Sequence, residues 1–223
     1  AFNLAWEMQA DGIEGDFRLT ADGHVVCIHD ATTERLAEIN LPIKSTDYAQ
    51  LRTVNVAHAF NPKGPPAHIP LLSEVIATVP SGKLLFIELK SGPLIVPPLI
   101  EALKASQLST DQIILFSFKT EVLRAIQQLN TPYRTGLIID FKIAPNGQLT
   151  PTLEDCLQTA LQHGCAGLHI SASAQLPKNI GKQTRAQNLH LHTWTVDTHE
   201  LSQTMQALGA QSITTNKPDT IRS

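Results

Sequence analysis

Short apolar runs recur along the chain and alternate with stretches in which apolar residues return every three or four positions. That alternation predicts βα units and a parallel sheet. Strands are predicted near Gly12 to Asp16, Leu84 to Lys90, Ile113 to Phe118, Thr135 to Asp140, Gly167 to Ser171, Leu189 to Val196 and Ser212 to Thr215. Helical patterns lie between them, near Leu94 to Ser106, Thr120 to Leu129, Thr152 to His163, Ala174 to Gln187 and Thr198 to Leu208, and Ala1 to Ala10 reads as a further helix. Runs such as LLFIEL and IILFSF are apolar without alternation, as expected of strands covered on both faces. A spacing of about 20 to 30 residues per unit suits a closed barrel or an open doubly wound sheet. No glycine-rich phosphate loop follows any strand, which removes the main mark of the open sheet. One segment, at about 31–67, breaks the rhythm with Pro42, Pro62, Gly64, Pro65 and Pro66. It reads as an insertion within a single domain spanning 1–223.

The first strand holds an anomaly. Glu14 and Asp16 are two apart, so on a strand they share a face and sit about 6.6 Å apart along it. Ile13 and Phe17 on the other face suit helix packing, which turns both acids toward the barrel interior. Two carboxylates stay ionised there only if a cation or ordered donors offset their desolvation. Asp22-Gly23 favours a two-residue type I′ hairpin, which would set Asp16 opposite His29 on one face. In the second parallel strand, Phe86, Glu88 and Lys90 repeat the pattern. Glu14, Asp16 and Glu88 could therefore converge as oxygen ligands on Mg²⁺ or Ca²⁺ at the rim where barrel strands end, with Lys90 nearby to receive an anion. The competing reading is a set of ordinary ion pairs with Arg18 and Lys90 at a barrel mouth. Asp30 reads as a cap or turn residue, and the histidines other than His29 read as surface or satisfied core groups.

Composition narrows the classes. Hydrophobic residues make up 42% and charged residues 17%, with a net charge of -3, as in an ordinary globular protein. The absence of a basic run argues against nucleic acid, and PLIVPPLI is too short and proline-broken to span a membrane. Cys27, Cys156 and Cys165 are odd in number without metal-type spacing, which suggests free thiols in a reducing, cytoplasmic setting.

The ordered set AFNLAWEMQADGIEGDFRLTADGHVVCIHD, IPLLSEV, FIELK, LFSF, HTWTVD and ITTNKPD resembles the glycerophosphodiester phosphodiesterase family across nearly the whole chain. The resemblance implies a TIM barrel, a divalent cation on Glu14, Asp16 and Glu88, and His29 as one of two catalytic imidazoles. It also implies Lys90 near the phosphate, Trp194 in the pocket wall, and a small-molecule glycerophosphodiester substrate cleaved to glycerol phosphate and an alcohol. Ser117 and Phe118 match a family strand end without an assigned role. The family's opening strand ending in His-Arg-Gly, and the Glu-Asn-Thr after it, have no counterpart here. Those motifs would bring the second catalytic histidine, a phosphate-binding arginine and a further metal-ligand glutamate. The chain is accordingly expected to be a truncated barrel lacking its first strand, inactive or feebly active by itself. Two alternatives stay open: a lysophospholipase D-like activity, and a non-catalytic phosphate-binding barrel.

Overall fold

The computed structural model describes residues 1–222. The chain opens with α1 (Phe2–Glu7), then β1 (Gly12–Leu19) and β2 (Val25–Cys27). An irregular segment with the short α2 (Tyr48–Leu51) and α3 (Leu72–Ile76) follows. Six βα units follow, beginning with β3 (Leu84–Leu89), α4 (Val96–Lys104), β4 (Ile113–Ser117), α5 (Thr120–Gln128) and β5 (Arg134–Ile139). A small hairpin of β6 (Lys142–Ile143) and β7 (Leu149–Thr150) precedes α6 (Leu153–Gln162). The chain ends with β8 (Gly167–Ser171), α7 (Ile180–Ala186), β9 (His190–Trp194), α8 (His199–Ala207), β10 (Ser212–Ile213) and α9 (Pro218–Arg222).

The seven strands expected from the apolar pattern all form, and they lie in one sheet in the order β10-β9-β8-β5-β4-β3-β1, parallel throughout, with β2 added antiparallel to β1. The sheet is strongly curled. Four strand steps of about 4.8 Å would hold β3 and β9 roughly 19 Å apart if flat. Instead, the rings of Phe86 and His192 meet at 5.2 Å across the interior. Among the described residues β10 and β1 do not pair, so the curl is an open barrel whose seam lies between them. A cavity of about 790 Å³ runs along that seam, between Gly12 and Glu14 on one side and Ser212 and Thr214 on the other.

Helices cover the outer face, over two apolar clusters. One joins Leu85, Ile87, Leu99, Leu115 and Val122, and the other Leu168, Ile170, Ile180, Leu191 and Met205. Each such side chain contributes about 1.5–3 kcal/mol by leaving water. Local chemistry sets the helix ends. The Thr152 hydroxyl accepts from Asp155 N and the Thr198 hydroxyl from Leu201 N, capping α6 and α8. Pro97 and Pro98 fall in the first turn of α4, where no N–H is needed.

The expected helix over Ala174 to Gln187 is shorter than its pattern: α7 starts only at Ile180. Pro177 disfavours helical backbone at the residue before it and delays the start. The opening helix ends at Glu7 rather than Ala10, because Gln9 takes a left-handed conformation at φ 61. Residues 31–67 are not a bare loop. Ile43, Tyr48 and Leu51 join Val26, Ile28 and Ile69 in a third apolar cluster over β2.

Gly136 illustrates how tightly the interior is filled. A Cβ there would lie 2.5 Å from the His169 ring, which stacks on Phe116 at 4.6 Å. Gly136→Ala is expected to destabilise the fold by about 1–3 kcal/mol through overpacking. Thermal melts of the two proteins check this.

Candidate functional site

The pairing of β1 with β3 builds the site. Its register sets Asp16 beside Glu88 and Glu14 beside Phe86. Glu14, one inward-facing position below Asp16, points the same way, because side chains alternate along a strand. Ligand oxygens of Glu14, Asp16 and Glu88 all lie within 4.8 Å of one another. Lys90, two residues past Glu88, returns its ammonium to the group, 2.7 Å from Glu88 Oε1 and 3.1 Å from Asp16 Oδ1. These side chains are only 12–20% exposed.

Three carboxylates share this space with one ammonium, and the electrostatics show the strain. Burial, then repulsion from Asp16 and Glu88, pushes Glu14 up to about 8 from its ordinary 4.5, with Lys90 offsetting only part. Glu88 is also raised, by burial above all, although Lys90 opposes the shift. Burial works to lower Lys90, but its pairing with Glu88 and Asp16 outweighs that and raises it. Glu88 Oε1 is buried, and the Lys90 ammonium 2.7 Å away is its counter-ion. Three carboxylates whose ligand oxygens lie within 4.8 Å of one another, with a single ammonium among them, are the hard oxygen donor set that suits a Mg²⁺ or Ca²⁺ ion. The residues present therefore fit a divalent cation.

His29 reaches the rim by a route different from the one its sequence suggests. Phe17 pairs with Cys27, Arg18 with Val26 and Leu19 with Val25. The turn is a three-residue loop, closed by Thr20 N to His24 O, with Gly23 at φ 85. This shifts the register by one from the two-residue turn, so Ile28, whose N–H donates to Asp16 O, lies opposite Asp16 and His29 follows it. Asp22 explains the longer loop. Its carboxylate accepts from the Thr20 hydroxyl and from Tyr48 N, tying the turn to the inserted segment. His29 lies within electrostatic reach of Glu88, where a positive charge on the ring would favour the carboxylate. Arg18 donates from Nε and Nη2 to the His29 carbonyl at 3.0 and 2.7 Å. The ring itself contacts Asp30, which in turn contacts Arg35.

Trp194, at the end of β9, stands edge-on to Phe118 with centroids 6.0 Å apart, and Lys90 Nζ lies 6.0 Å from the Phe118 ring. Lys90, Phe118 and Trp194 thus form one edge of the site. Ser117 is structural: its hydroxyl donates to Leu89 O and stitches β4 to β3. The HTWTVD and ITTNKPD segments are joined by Asp197, which accepts from Asn216 N, Asn216 Nδ2 and the Thr215 hydroxyl. Glu74 of IPLLSEV accepts from Leu71 N and caps α3.

Two of the histidines expected to be surface or core groups are interior ones. His169 and His192 lie beneath the acids, with ring centroids 4.7 Å apart, packed among Phe86 and Phe116. Burial depresses both, His192 down to about 3, so they are neutral rings in a buried floor, the His192 nitrogens meeting the Ser212 and Thr214 hydroxyls. The two-residue alternation in GLHIS and HLHTW, which points His169, His192 and Trp194 inward together, is the signal that could have found them.

The solved structures similar to this chain share its fold. A phosphodiesterase of Oleispira antarctica in complex with the product sn-glycerol-3-phosphate superposes with a TM-score of 0.86 at 20% identity, covering 99% of this chain and 87% of that one. A glycerophosphodiester phosphodiesterase from Thermotoga maritima gives 0.77 at 22% identity, covering 98% and 87%. The protein is a TIM-type barrel of the phosphodiesterase class. Residues 1–220 match the glycerophosphoryl diester phosphodiesterase family, and the chain belongs to that family. Among its relatives is a glycerophosphodiester phosphodiesterase of Caldanaerobacter subterraneus, 28% identical over 99% of this chain and 88% of that protein. Another, from Bacillus altitudinis, is 27% identical over 98% and 88%.

The raised Glu14 makes a prediction about stability. Its folded pKa of about 8 exceeds its ordinary 4.5, so the folded protein holds the proton more tightly than the unfolded chain. Folding then gains from Glu14 below pH of about 4.5 and loses that gain as pH rises toward about 8. Glu88 acts in the same direction. Without divalent cation, the melting temperature of wild type is expected to fall between pH 5 and 8 more steeply than that of Glu14→Gln. Paired thermal melts across that range check the difference.

Proposed function

We propose that the chain hydrolyses glycerophosphodiesters to glycerol phosphate and an alcohol, with a divalent cation held by Glu14, Asp16 and Glu88. The single observation that carries the reading is the convergence of those three carboxylates within 4.8 Å beside Lys90, in a chain of this family. The acids would bind the metal; Lys90 would take a phosphoryl oxygen, and the aromatic edge at Trp194 and Phe118 would bound the pocket. A bound dication supplies Lewis-acid neutralisation of the charge that builds on the phosphoryl oxygens. Either Mg²⁺ or Ca²⁺ satisfies an all-oxygen donor set.

In the proposed reaction the second imidazole that the family resemblance implies, which has no counterpart among the residues of this sequence, takes the proton of the glycerol 2-hydroxyl; its oxygen attacks phosphorus, and the bond from phosphorus to the leaving alcohol breaks. His29 gives that alcohol a proton as it departs, and water then opens the cyclic phosphate. Lys90 offsets the charge that develops during attack. The substrate is a small molecule, in line with the product carried by the Oleispira antarctica neighbour. No described helix is long and apolar enough to cross a membrane. The free state of Cys27, Cys156 and Cys165 supports a reducing, cytoplasmic setting.

In this chain joined to a segment carrying the family's His-Arg-Gly and Glu-Asn-Thr motifs, replacing His29 by Ala is expected to cut choline release from glycerophosphocholine by about 10²- to 10⁴-fold. Because the His29 side chain is 60% exposed, the melting temperature should stay the same. Wild-type turnover in this variant removes His29 from the mechanism. Running lysophosphatidylcholine alongside tests the lysophospholipase D reading. For the metal, Glu88→Gln is expected to weaken Mg²⁺ or Ca²⁺ binding by at least roughly tenfold, measured by calorimetry. Calorimetry with glycerol phosphate and the cation completes the comparison: binding without any turnover would make the protein a phosphate-binding barrel instead.

A further inference from the structure

We propose that Asp30 is a positioning residue for His29, and that Arg35 holds Asp30 in the orientation this requires. The inference rests on the reading of His29 as the group that protonates the leaving alcohol. His29 Nδ1 lies 2.7 Å from Asp30 Oδ1, and Arg35 Nε lies 2.5 Å from Asp30 Oδ2. One carboxylate thus bridges an imidazole and a guanidinium, with a separate oxygen for each, and cannot rotate without giving up one of them.

Neighbouring side chains in an extended chain point to opposite faces, so a contact between His29 and Asp30 needs a turned backbone. The chain bends at these two residues, and the two bonds from Arg18 to the His29 carbonyl hold the bend. Ile28 N–H to Asp16 O anchors the preceding residue to β1. Backbone and ring of a largely exposed histidine are therefore fixed from two sides, by Arg18 and by Asp30. An unrestrained surface imidazole would instead pass among several rotamers and lose that freedom on every turnover.

The chemistry follows from which nitrogen is occupied. Nδ1–H donates to the carboxylate, which leaves Nε2 as the nitrogen that delivers the proton. Arg35, then His29, holds the Asp30 carboxyl below the ordinary carboxylate range, so it accepts from Nδ1–H as an anion.

Asp30→Asn gives the sharpest test, because Arg35 can only donate. The amide oxygen of Asn must face Arg35, and its NH₂ must then face Nδ1 and donate to it. In the neutral ring the proton moves to Nε2. Nitrogen NMR of selectively labelled histidine, at a pH where His29 is neutral, is expected to show the Nδ1–H tautomer in wild type and the Nε2–H tautomer in Asp30→Asn. An unchanged tautomer overturns the proposal.

Turnover supplies an independent readout. On glycerophosphocholine, whose leaving alcohol needs a proton, Asp30→Asn is expected to lose roughly 10²-fold in kcat with KM little changed. On the nitrophenyl ester of glycerol phosphate, whose leaving group departs as a stable anion, the loss should be no more than about threefold. Asp30→Glu should recover part of the rate, and Arg35→Gln should show the same pattern more weakly. Equal losses on both esters, or a wild-type kcat on glycerophosphocholine, would sink the assignment. His29→Ala separates the two ideas: wild-type turnover there defeats the role of His29 itself, whereas an inactive His29→Ala beside a fully active Asp30→Asn defeats only the role of Asp30.

Discussion

Three carboxylates confined to one partly dry pocket, with one ammonium to offset them, are the constraint on which the rest of this structure depends. Like charges at this range cannot all remain ionised in a low-dielectric site, and the folded protein resolves the conflict by holding a proton at Glu14 well into the neutral range. Lys90 relieves part of the repulsion while contacting both Asp16 and Glu88. A dication held by Glu14, Asp16 and Glu88 would offset the rest of that repulsion and favour loss of the proton.

That crowding exists because of strand register. Asp16 and Glu88 are partners in the parallel ladder of β1 and β3, and a slip of one residue would turn either acid outward into an apolar layer of Leu85, Ile87 and Leu89. The apolar outer face therefore fixes the polar inner one. Ile13 and Phe17, buried beneath the helices, hold Glu14 and Asp16 pointing inward.

The floor and rim of the barrel have different physical characters. Beneath the acids, Phe86, Phe116, His169 and His192 pack ring against ring in a layer where burial keeps the imidazoles neutral. Charge is thus kept out of the floor and concentrated at the strand ends. At the rim, loops are held by hydrogen bonds to single carboxylates: Asp22 secures the hairpin turn to Tyr48, and Asp197 secures the loop at Asn216. Asp30 sits in a third such place, between Arg35 and His29.

The sequence by itself determined the seven parallel strands and most of the helices between them, because burial on both faces leaves an apolar run that few other structures accommodate. It also determined that Glu14 shares a face with Asp16, and Glu88 with Lys90, since strand alternation is a local rule. Tertiary structure decided what local rules do not reach. The hairpin register depended on Asp22 finding Tyr48, 26 residues away, so a short-range turn preference misplaced the partner of Asp16 by one residue. The clamp on His29 combines Arg18 from β1 with Asp30 and Arg35 from the segment after β2, and only the bend in the chain brings them to one ring. His169 and His192 met Phe86 only because the sheet curls, which no single strand specifies. Periodicity is written in neighbouring residues, whereas curvature, register and long-range hydrogen bonds arise from the whole chain packing at once.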